Sequence, residues 1–183
     1  MKLAIWLEYV MKKFIFTLFI CFYWTLPTFA YDLTLQNTPV QVYFSPRGGA
    51  QDALVATIGQ AKDSIFVQAY SFTSAPIAKA LVDAAKRGVK IEAILDKSQR
   101  SERYTGATFL RNEGIPVYID DKHAIAHNKV MIIDGTIVVT GSFNFTKAAE
   151  EKNAENLLII RNKEIAKIYM DNWEKHKEHS EPF

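Results

Sequence analysis

The chain has 183 residues, enough for one domain with a substantial hydrophobic core, and a formal net charge of only +2. This charge excludes a protein that coats nucleic acid through net charge alone, although it leaves room for a local basic groove. The only cysteine, Cys21, lies near the amino terminus. Residues 31–183 therefore contain neither a disulfide nor a cysteine ligand for a metal.

Residues 1–30 have the pattern of a secretory signal peptide. Two lysines follow Met11, an apolar run covers residues 14–26, and small residues end at Ala30. The run is short for a membrane-spanning helix. We predict that Met11 is the true start, that cleavage leaves residues 31–183 as a single domain, and that this domain is exported to a periplasm or secreted. The alternative is an uncleaved membrane anchor whose apolar run extends further upstream.

From residue 40 the chain alternates between strand and helix patterns. Alternating or continuous apolar residues predict strands, and apolar residues three or four apart predict helices. This order predicts an α/β fold with a central mixed, largely parallel β-sheet flanked by helices. In chain order we predict a strand at 40–45, a helix at 50–62, a strand at 64–72, a helix at 74–87, a strand at 89–96, a short helix before Gly114, a strand at 115–120, two strands around Asp134-Gly135, a strand at 156–162 and a helix at 163–179.

A polar, basic loop follows the predicted strand at 89–96. It carries Lys97, Arg100 and Arg103. Such a loop is typically solvated. It is also the best candidate in the sequence for a clamp on the sugar–phosphate backbone of a nucleic acid, since backbone contacts in such complexes come largely from basic side chains.

The residues that could do chemistry gather around the predicted hairpin. Side chains alternate along a strand, so His127 and Lys129 share one face, while Asp134 falls on the other face and within the Asp-Gly turn. After the turn, Ser142 and Asn144 are also two residues apart. Because a hairpin brings its arms side by side, these two residues could join His127 and Lys129 in one patch.

This patch suits an oxyanion, most simply a phosphate. Lys129 donates only and is cationic, and Ser142 and Asn144 can also donate to oxygen. His127 is the only neutral base or nucleophile of the set. Because imidazole titrates near about pH 6.5, it can attack phosphorus or accept a proton at neutral pH. Glu155, at the start of a later strand, could hold the far ring nitrogen and fix its tautomer.

The run HNKVMIID, with GSFNFT and NAEN after it, resembles the H-x-K-x4-D signature of the phospholipase D superfamily. A single copy of the motif behind a signal peptide is similar to the small bacterial EDTA-resistant endonucleases of that superfamily. The resemblance covers roughly residues 38–175, including QAYSFT and the helix that contains Trp173. It implies that residues 31–183 form one phospholipase D-like catalytic domain.

The resemblance also implies a two-step transfer through a phosphohistidine. One His127 would attack phosphorus, and the His127 of a second copy, in a symmetric homodimer with a composite active site, would protonate the leaving oxygen and then activate water. Glu155 would orient the His127 ring, and no metal or other cofactor would be required. Asp134 would belong to the motif but have a structural role, because its place in the Asp-Gly turn explains its presence. The implied catalytic residues are His127, Lys129, Asp134 and Glu155, and the implied substrate-binding residues are Lys129, Ser142 and Asn144.

Three further histidines have competing interpretations. His123 could be a second catalytic histidine within one chain, but we favour a loop residue at the rim of the site. His176 and His179 have helical spacing and could form a metal pair. Without a third ligand in view, we predict that they belong to a solvated tail.

The leading functional hypothesis is an exported, metal-independent, nonspecific endonuclease that acts on DNA and on RNA as a further substrate. The alternative keeps the chemistry and changes the substrate to phospholipid head groups, since both substrates present a phosphodiester. A third hypothesis, from another class, is a catalytically silent nucleic-acid-binding module. The presence of His127, Lys129 and Glu155 argues against that third hypothesis.

Overall fold

An eight-stranded sheet runs through the computed structural model, which describes residues 30–100 and 106–183. The strands are β1 (Val40–Ser45), β2 (Ser64–Ala69), β3 (Lys90–Asp96), β4 (Val117–Asp120), β5 (Lys129–Ile133), β6 (Ile137–Gly141), β7 (Glu155–Arg161) and β8 (Glu181–Pro182). The helices are α1 (Ala50–Gly59), α2 (Ala75–Lys86), α3 (Gly106–Asn112), α4 (Lys147–Glu151) and α5 (Lys163–Lys177), with a 3-10 turn at Lys97–Arg100.

The sheet is mixed, with strand order β1-β7-β6-β5-β2-β3-β4-β8. The β2–β3 and β3–β4 pairs are parallel, and the remaining five pairs are antiparallel. The predicted α/β fold with a mixed sheet between helices is confirmed. The sheet has fewer parallel strand pairs than the sequence predicts. The β5–β6 hairpin and the strand β7 make only antiparallel pairs, and they form the other half of the sheet.

Each face of the sheet has its own hydrophobic core. On one face, Leu54 of α1 and Leu81 of α2 pack with Met131 and Ile133 of β5. On the other, Trp173 of α5 packs against residues from the alternate positions of the strands. The indole Nε1 of Trp173 also donates to the main-chain oxygen of Val67, at 2.9 Å, so the polar atom of this buried ring is satisfied.

Local sequence explains where α2 and α5 begin. Ser74 precedes α2 and its hydroxyl accepts the main-chain N–H of Ile77, with a proline in the first turn of the helix. Asn162 precedes α5 and its side chain accepts the main-chain N–H groups of Glu164 and Ile165. Both caps are visible in the sequence as polar residues directly before an amphipathic stretch.

Residues 30–36 have no regular secondary structure, and residues 37–183 form a compact unit that holds every element named above. The proposed signal sequence, apart from Ala30, lies outside the described residues, as does Arg103 of the basic loop. Within the described part of the chain, no helix has the length and apolar character needed to cross a bilayer.

Candidate active site

His127 and Lys129 lie at the edge of the sheet where the parallel strands end. Lys129 is the first residue of β5 and pairs with Ala69, the last residue of β2. Because β5 runs antiparallel to β2, the beginning of β5 meets the carboxyl ends of β2, β3 and β4. Crevices at this edge of an α/β sheet are the usual place for ligands.

Hydrogen bonds on both sides fix the main chain around His127. The N–H of Ala126 donates to Asp96 Oδ2 at the end of β3, at 2.8 Å. The main-chain oxygen of Asn128 accepts the N–H of Tyr70, also at 2.8 Å. The histidine is therefore held between two strand ends, although it precedes β5 and its own side chain is exposed.

Tyr70 contacts both members of the motif. Its ring centroid lies 4.7 Å from that of His127, with the two planes tilted by 53°. Lys129 Nζ lies over the same ring, 5.3 Å from its centroid, and makes a cation–π contact with it. The sequence predicts a strand at 64–72 that includes Tyr70, whereas β2 ends at Ala69 and Tyr70 lies beyond it, next to the motif. The available signal was an aromatic residue followed by polar ones at the end of a buried strand.

Lys129 is a buried cation, only 6% exposed. Its Nζ donates to the main-chain oxygen of His127 at 2.9 Å, which leaves further N–H groups for a ligand. Burial lowers the pKa of Lys129, and the nearby negative charge of Glu155 acts in the opposite direction. A buried ammonium group can bind an anion strongly because water screens its charge little.

Ser142 and Asn144 follow β6, and Ser142 is hydrogen-bonded to Asn156 at the start of β7. The hydroxyl of Ser142 accepts the N–H of Asn156 at 3.0 Å, and it still has its own proton to donate. Asn144 differs, because its Oδ1 atom is buried without a hydrogen-bond partner among the described residues. An unpaired buried acceptor is costly in a folded protein, and this oxygen can be satisfied only by a hydrogen-bond donor. Within one chain, the Glu155 carboxylate accepts a hydrogen bond from Asn153 Nδ2 at 3.1 Å.

Asp134 lies at the opposite end of β5 from this patch, about 16 Å from Lys129 along the strand. Its carboxylate accepts the main-chain N–H groups of Lys62, Asp63 and Ser64, at distances from 2.8 to 3.2 Å. Burial raises its pKa, but these hydrogen bonds outweigh burial and hold the pKa below its usual value. Asp134 thus ties the hairpin to the start of β2, and it stands apart from the residues around His127.

A family model described as "Cardiolipin synthase, PLD-like domain" matches residues 54–177. The chain belongs to the phospholipase D superfamily. It is similar to a phospholipase D of Rickettsia conorii, 42% identical over 139 residues that cover 76% of this chain and 70% of that protein. Membership makes the chain a phosphodiester hydrolase.

Two solved structures of small proteins share the fold of this phospholipase D-like domain. Nuc from Salmonella typhimurium, a phospholipase D family member, is 40% identical, with a TM-score of 0.77 over 80% of this chain and 99% of that one. NucT from Helicobacter pylori is 27% identical, with a TM-score of 0.75 over 80% of this chain and 100% of that one. The match extends over nearly the whole of the first structure and the whole of the second, so it does not concern one part of a larger protein.

The other three histidines of this phospholipase D-like chain meet around Asp120, the last residue of β4. His123, His176 and His179 all approach its carboxylate. The expected solvated tail is wrong for His176 and His179, whose side chains are only 16% and 20% exposed. Their third partner, Asp120, is not evident from the sequence, because it lies 56 residues before His176 and belongs to a predicted strand.

The basic loop is partly engaged within the chain. Arg100 pairs with Glu181 of β8, with Nη2 2.7 Å from Oε2, and both side chains are exposed. Lys97 Nζ donates to the main-chain oxygen of His123 at 3.0 Å. The described part of this loop therefore braces the carboxyl-terminal strand and the loop before β5.

Proposed function

We propose that the protein is an exported endonuclease that cleaves DNA through a covalent phosphohistidine on His127. The observation that carries the proposal is the pairing of an exposed imidazole at His127 with a buried ammonium group at Lys129, at the edge of the sheet where ligands bind. The side-chain N–H₂ of Asn144 adds a further donor for a phosphate oxygen.

In the first step, one ring nitrogen of His127 attacks phosphorus, a P–N bond forms and the bond to the leaving oxygen breaks. The partner subunit's His127 gives that oxygen a proton. In the second step water attacks the phosphohistidine, its proton goes to the partner subunit's His127, and the P–N bond breaks. Lys129 and Asn144 hold the phosphate oxygens while negative charge develops on them. Glu155 orients the His127 ring.

The homodimer in this proposal is supported by a count of histidines. The chain has four, and three of them are gathered around Asp120. His127 alone stands beside Lys129, so the acid of the first step needs another source. A twofold axis near His127 supplies it, since symmetry places the same residue of both copies at the axis. Ile125, two residues before His127 and 59% exposed, offers apolar surface for such a contact.

The resemblance to the small single-motif nucleases favours nucleic acid as the substrate, and DNA is the form we propose, with RNA as a further substrate. The second candidate is a phospholipase D that hydrolyses phospholipid head groups. The observation that favours it is the relative from Rickettsia conorii, which is called a phospholipase D.

The test offers plasmid DNA and labelled phosphatidylcholine side by side to residues 31–183, in excess EDTA, with His127→Asn as the matched control. The proposal expects nicked and linear plasmid with the parent protein only, and intact lipid. Release of choline with intact plasmid would establish the second candidate instead. Plasmid cleavage that stops on chelation and returns with magnesium would refute the metal-independent mechanism.

Export rests on residues 1–30 and has its own test. Expression of the full chain in a Gram-negative host should yield a periplasmic or secreted product. Mass spectrometry of that product should find an amino terminus at Tyr31. A membrane-bound product that retains residues 14–26 would support the anchor alternative.

A further inference from the structure

Asp120 is the centre of a compact set of metal-ligating atoms. Its carboxylate is fully buried at the end of β4. His176 Nδ1 lies 2.7 Å from Oδ2, and His123 Nδ1 lies 2.9 Å from the same oxygen and 3.0 Å from Oδ1. His179 Nε2 lies 3.4 Å from Oδ1. Each of the four residues offers one possible ligand atom, and no two of these atoms are more than 4.8 Å apart.

His179 gives a second, independent observation. Its Nε2 atom is buried, and no hydrogen bond satisfies it among the described residues. The nitrogen lies 3.4 Å from Asp120 Oδ1, which is longer than an ordinary N–H···O hydrogen bond. A buried nitrogen that faces a carboxylate and two other imidazoles without a bond is expensive in a folded protein. Such an atom points to a missing partner in the centre of the set.

We propose that Asp120, His123, His176 and His179 form a tetrahedral site for a divalent transition-metal ion, with Zn²⁺ as the best fit. Zinc binds imidazole nitrogen at about 2.0–2.1 Å and carboxylate oxygen at about 2.0–2.2 Å, which separates the ligand atoms of a tetrahedron by about 3.3 Å. The distances from the Asp120 oxygens to the three nitrogens bracket that separation. Three nitrogen ligands also exclude Mg²⁺ and Ca²⁺, which prefer all-oxygen sites.

A metal explains the cluster better than a hub, meaning a set of imidazoles that only hydrogen-bond to the Asp120 carboxylate. In the hub, His123 and His176 share Oδ2 and His179 remains unsatisfied. The three rings are also in mutual contact, with centroids 4.8, 5.2 and 5.4 Å apart, which is an unfavourable arrangement if more than one of them is charged. A cation at the centre engages all four ligand atoms at once and requires the imidazoles to be neutral.

The position of the site indicates a structural role. Asp120 ends β4, His123 lies in the loop that leads to His127, and His176 and His179 belong to the end of α5 and the turn before β8. Four protein ligands complete a tetrahedron and leave no open position for substrate, as in structural zinc sites. The ion would fasten the carboxyl-terminal segment to the loop before β5. This inference is independent of the proposed nuclease chemistry, in which no metal takes part.

The test measures metal binding by the tag-free protein after treatment with EDTA and dialysis. Competition with a chromophoric zinc chelator should give one Zn²⁺ per chain with sub-micromolar affinity, and Zn²⁺ should raise the Tm. Cobalt offers a spectroscopic readout, because tetrahedral Co²⁺ absorbs visible light far more strongly than the hydrated octahedral ion. We expect the tetrahedral spectrum, displaced by one equivalent of Zn²⁺.

Variants connect the ion to these four residues. His179→Asn and His176→Asn should each weaken Zn²⁺ binding by at least about tenfold, since even loss of a supporting residue costs that much. His127→Asn and Glu178→Gln are the matched controls and should bind Zn²⁺ like the parent protein. His127 is the fourth histidine, and Glu178 is an exposed carboxylate next to the cluster.

Two outcomes would overturn the site. One is a parent protein that binds no Zn²⁺ at micromolar concentration or gives only the octahedral cobalt spectrum. The other is Zn²⁺ binding that is unchanged in folded His179→Asn. Because the parent protein's own spectrum decides the first outcome, the site stays testable even where a variant does not fold. Loss of nuclease activity in His127→Asn with retained Zn²⁺ binding would separate this site from the catalytic proposal.

Discussion

The imidazole of His127 rests on the ring of Tyr70, with their centroids 4.7 Å apart. The same tyrosine donates its main-chain N–H to Asn128, so it holds the motif by its side chain and by its backbone. The His127 side chain is exposed, and its contact with this ring is one restraint on the rotamers of the proposed nucleophile. Tyr70 is therefore a positioning residue whose removal should affect turnover more than folding.

Tyr70→Ala should lower kcat by roughly 100-fold, since misplacement of a reacting group by about 1 Å can cost that factor. Tyr70→Phe is the matched control, because it keeps the ring that His127 contacts. Initial rates of plasmid cleavage, with the fold checked by circular dichroism, provide the measurement. Equal losses in both variants would assign the effect to the hydroxyl and would contradict a positioning role for the ring.

His127→Asn should abolish turnover while the fold is retained, whereas His123→Asn should keep most of the activity. The reason is that only His127 lies next to Lys129, while the His123 ring is held by Asp120. Brief incubation of the parent protein with a labelled phosphodiester should also leave acid-labile, alkali-stable label on the protein, as a phosphohistidine does. A His123 variant that is inactive while His127→Asn retains activity would reverse the assignment.

The dimer proposal predicts how activity depends on mixing. When parent protein and His127→Asn are refolded together so that subunits pair at random, a mixed dimer carries one histidine at its only site and should be inactive. Activity per total protein should then fall as the square of the parent fraction, so an equal mixture keeps about a quarter.

A linear fall in the same mixing experiment would mean that each chain carries a complete site. Analytical ultracentrifugation of the mixture provides the control, since random pairing must be reached before rates are compared. A second acid within one chain would then have to be sought among residues other than His127.

Asp134→Asn should lower the free energy of unfolding by about 1–3 kcal/mol at pH 7, because the carboxylate accepts three main-chain N–H groups at the start of β2. The folded-state pKa of Asp134 is depressed. Its stabilisation is therefore complete above the unfolded-state pKa of about 3.9 and is lost as pH falls through the lower folded-state pKa. Urea unfolding should show the gap between the two proteins at pH 7 and a smaller gap below about pH 3. A gap that does not change with pH would rule out the charge as its source.

Several features of this protein follow from local sequence. The period of apolar residues predicts β1 over its observed range, and the Asp134-Gly135 pair predicts the hairpin, in which both residues adopt the positive φ that such turns require. Ser74 and the proline after it mark the start of α2. These predictions succeed because periodicity, caps and turn residues act over a few positions. The motif around His127 is likewise contiguous, which is why the superfamily can be identified from the sequence.

Only the tertiary structure decided which distant residues meet. The strand order brings Asp120 to His176 across 56 residues and Asp134 to Lys62 across 72, and it sets β5 beside β2 so that Tyr70 supports His127. Local patterns contain no information on these pairings, because each depends on which strands become neighbours when the whole core is buried. For that reason the sequence alone indicated the phosphate-binding motif, whereas the cluster around Asp120 and the support from Tyr70 required the folded chain.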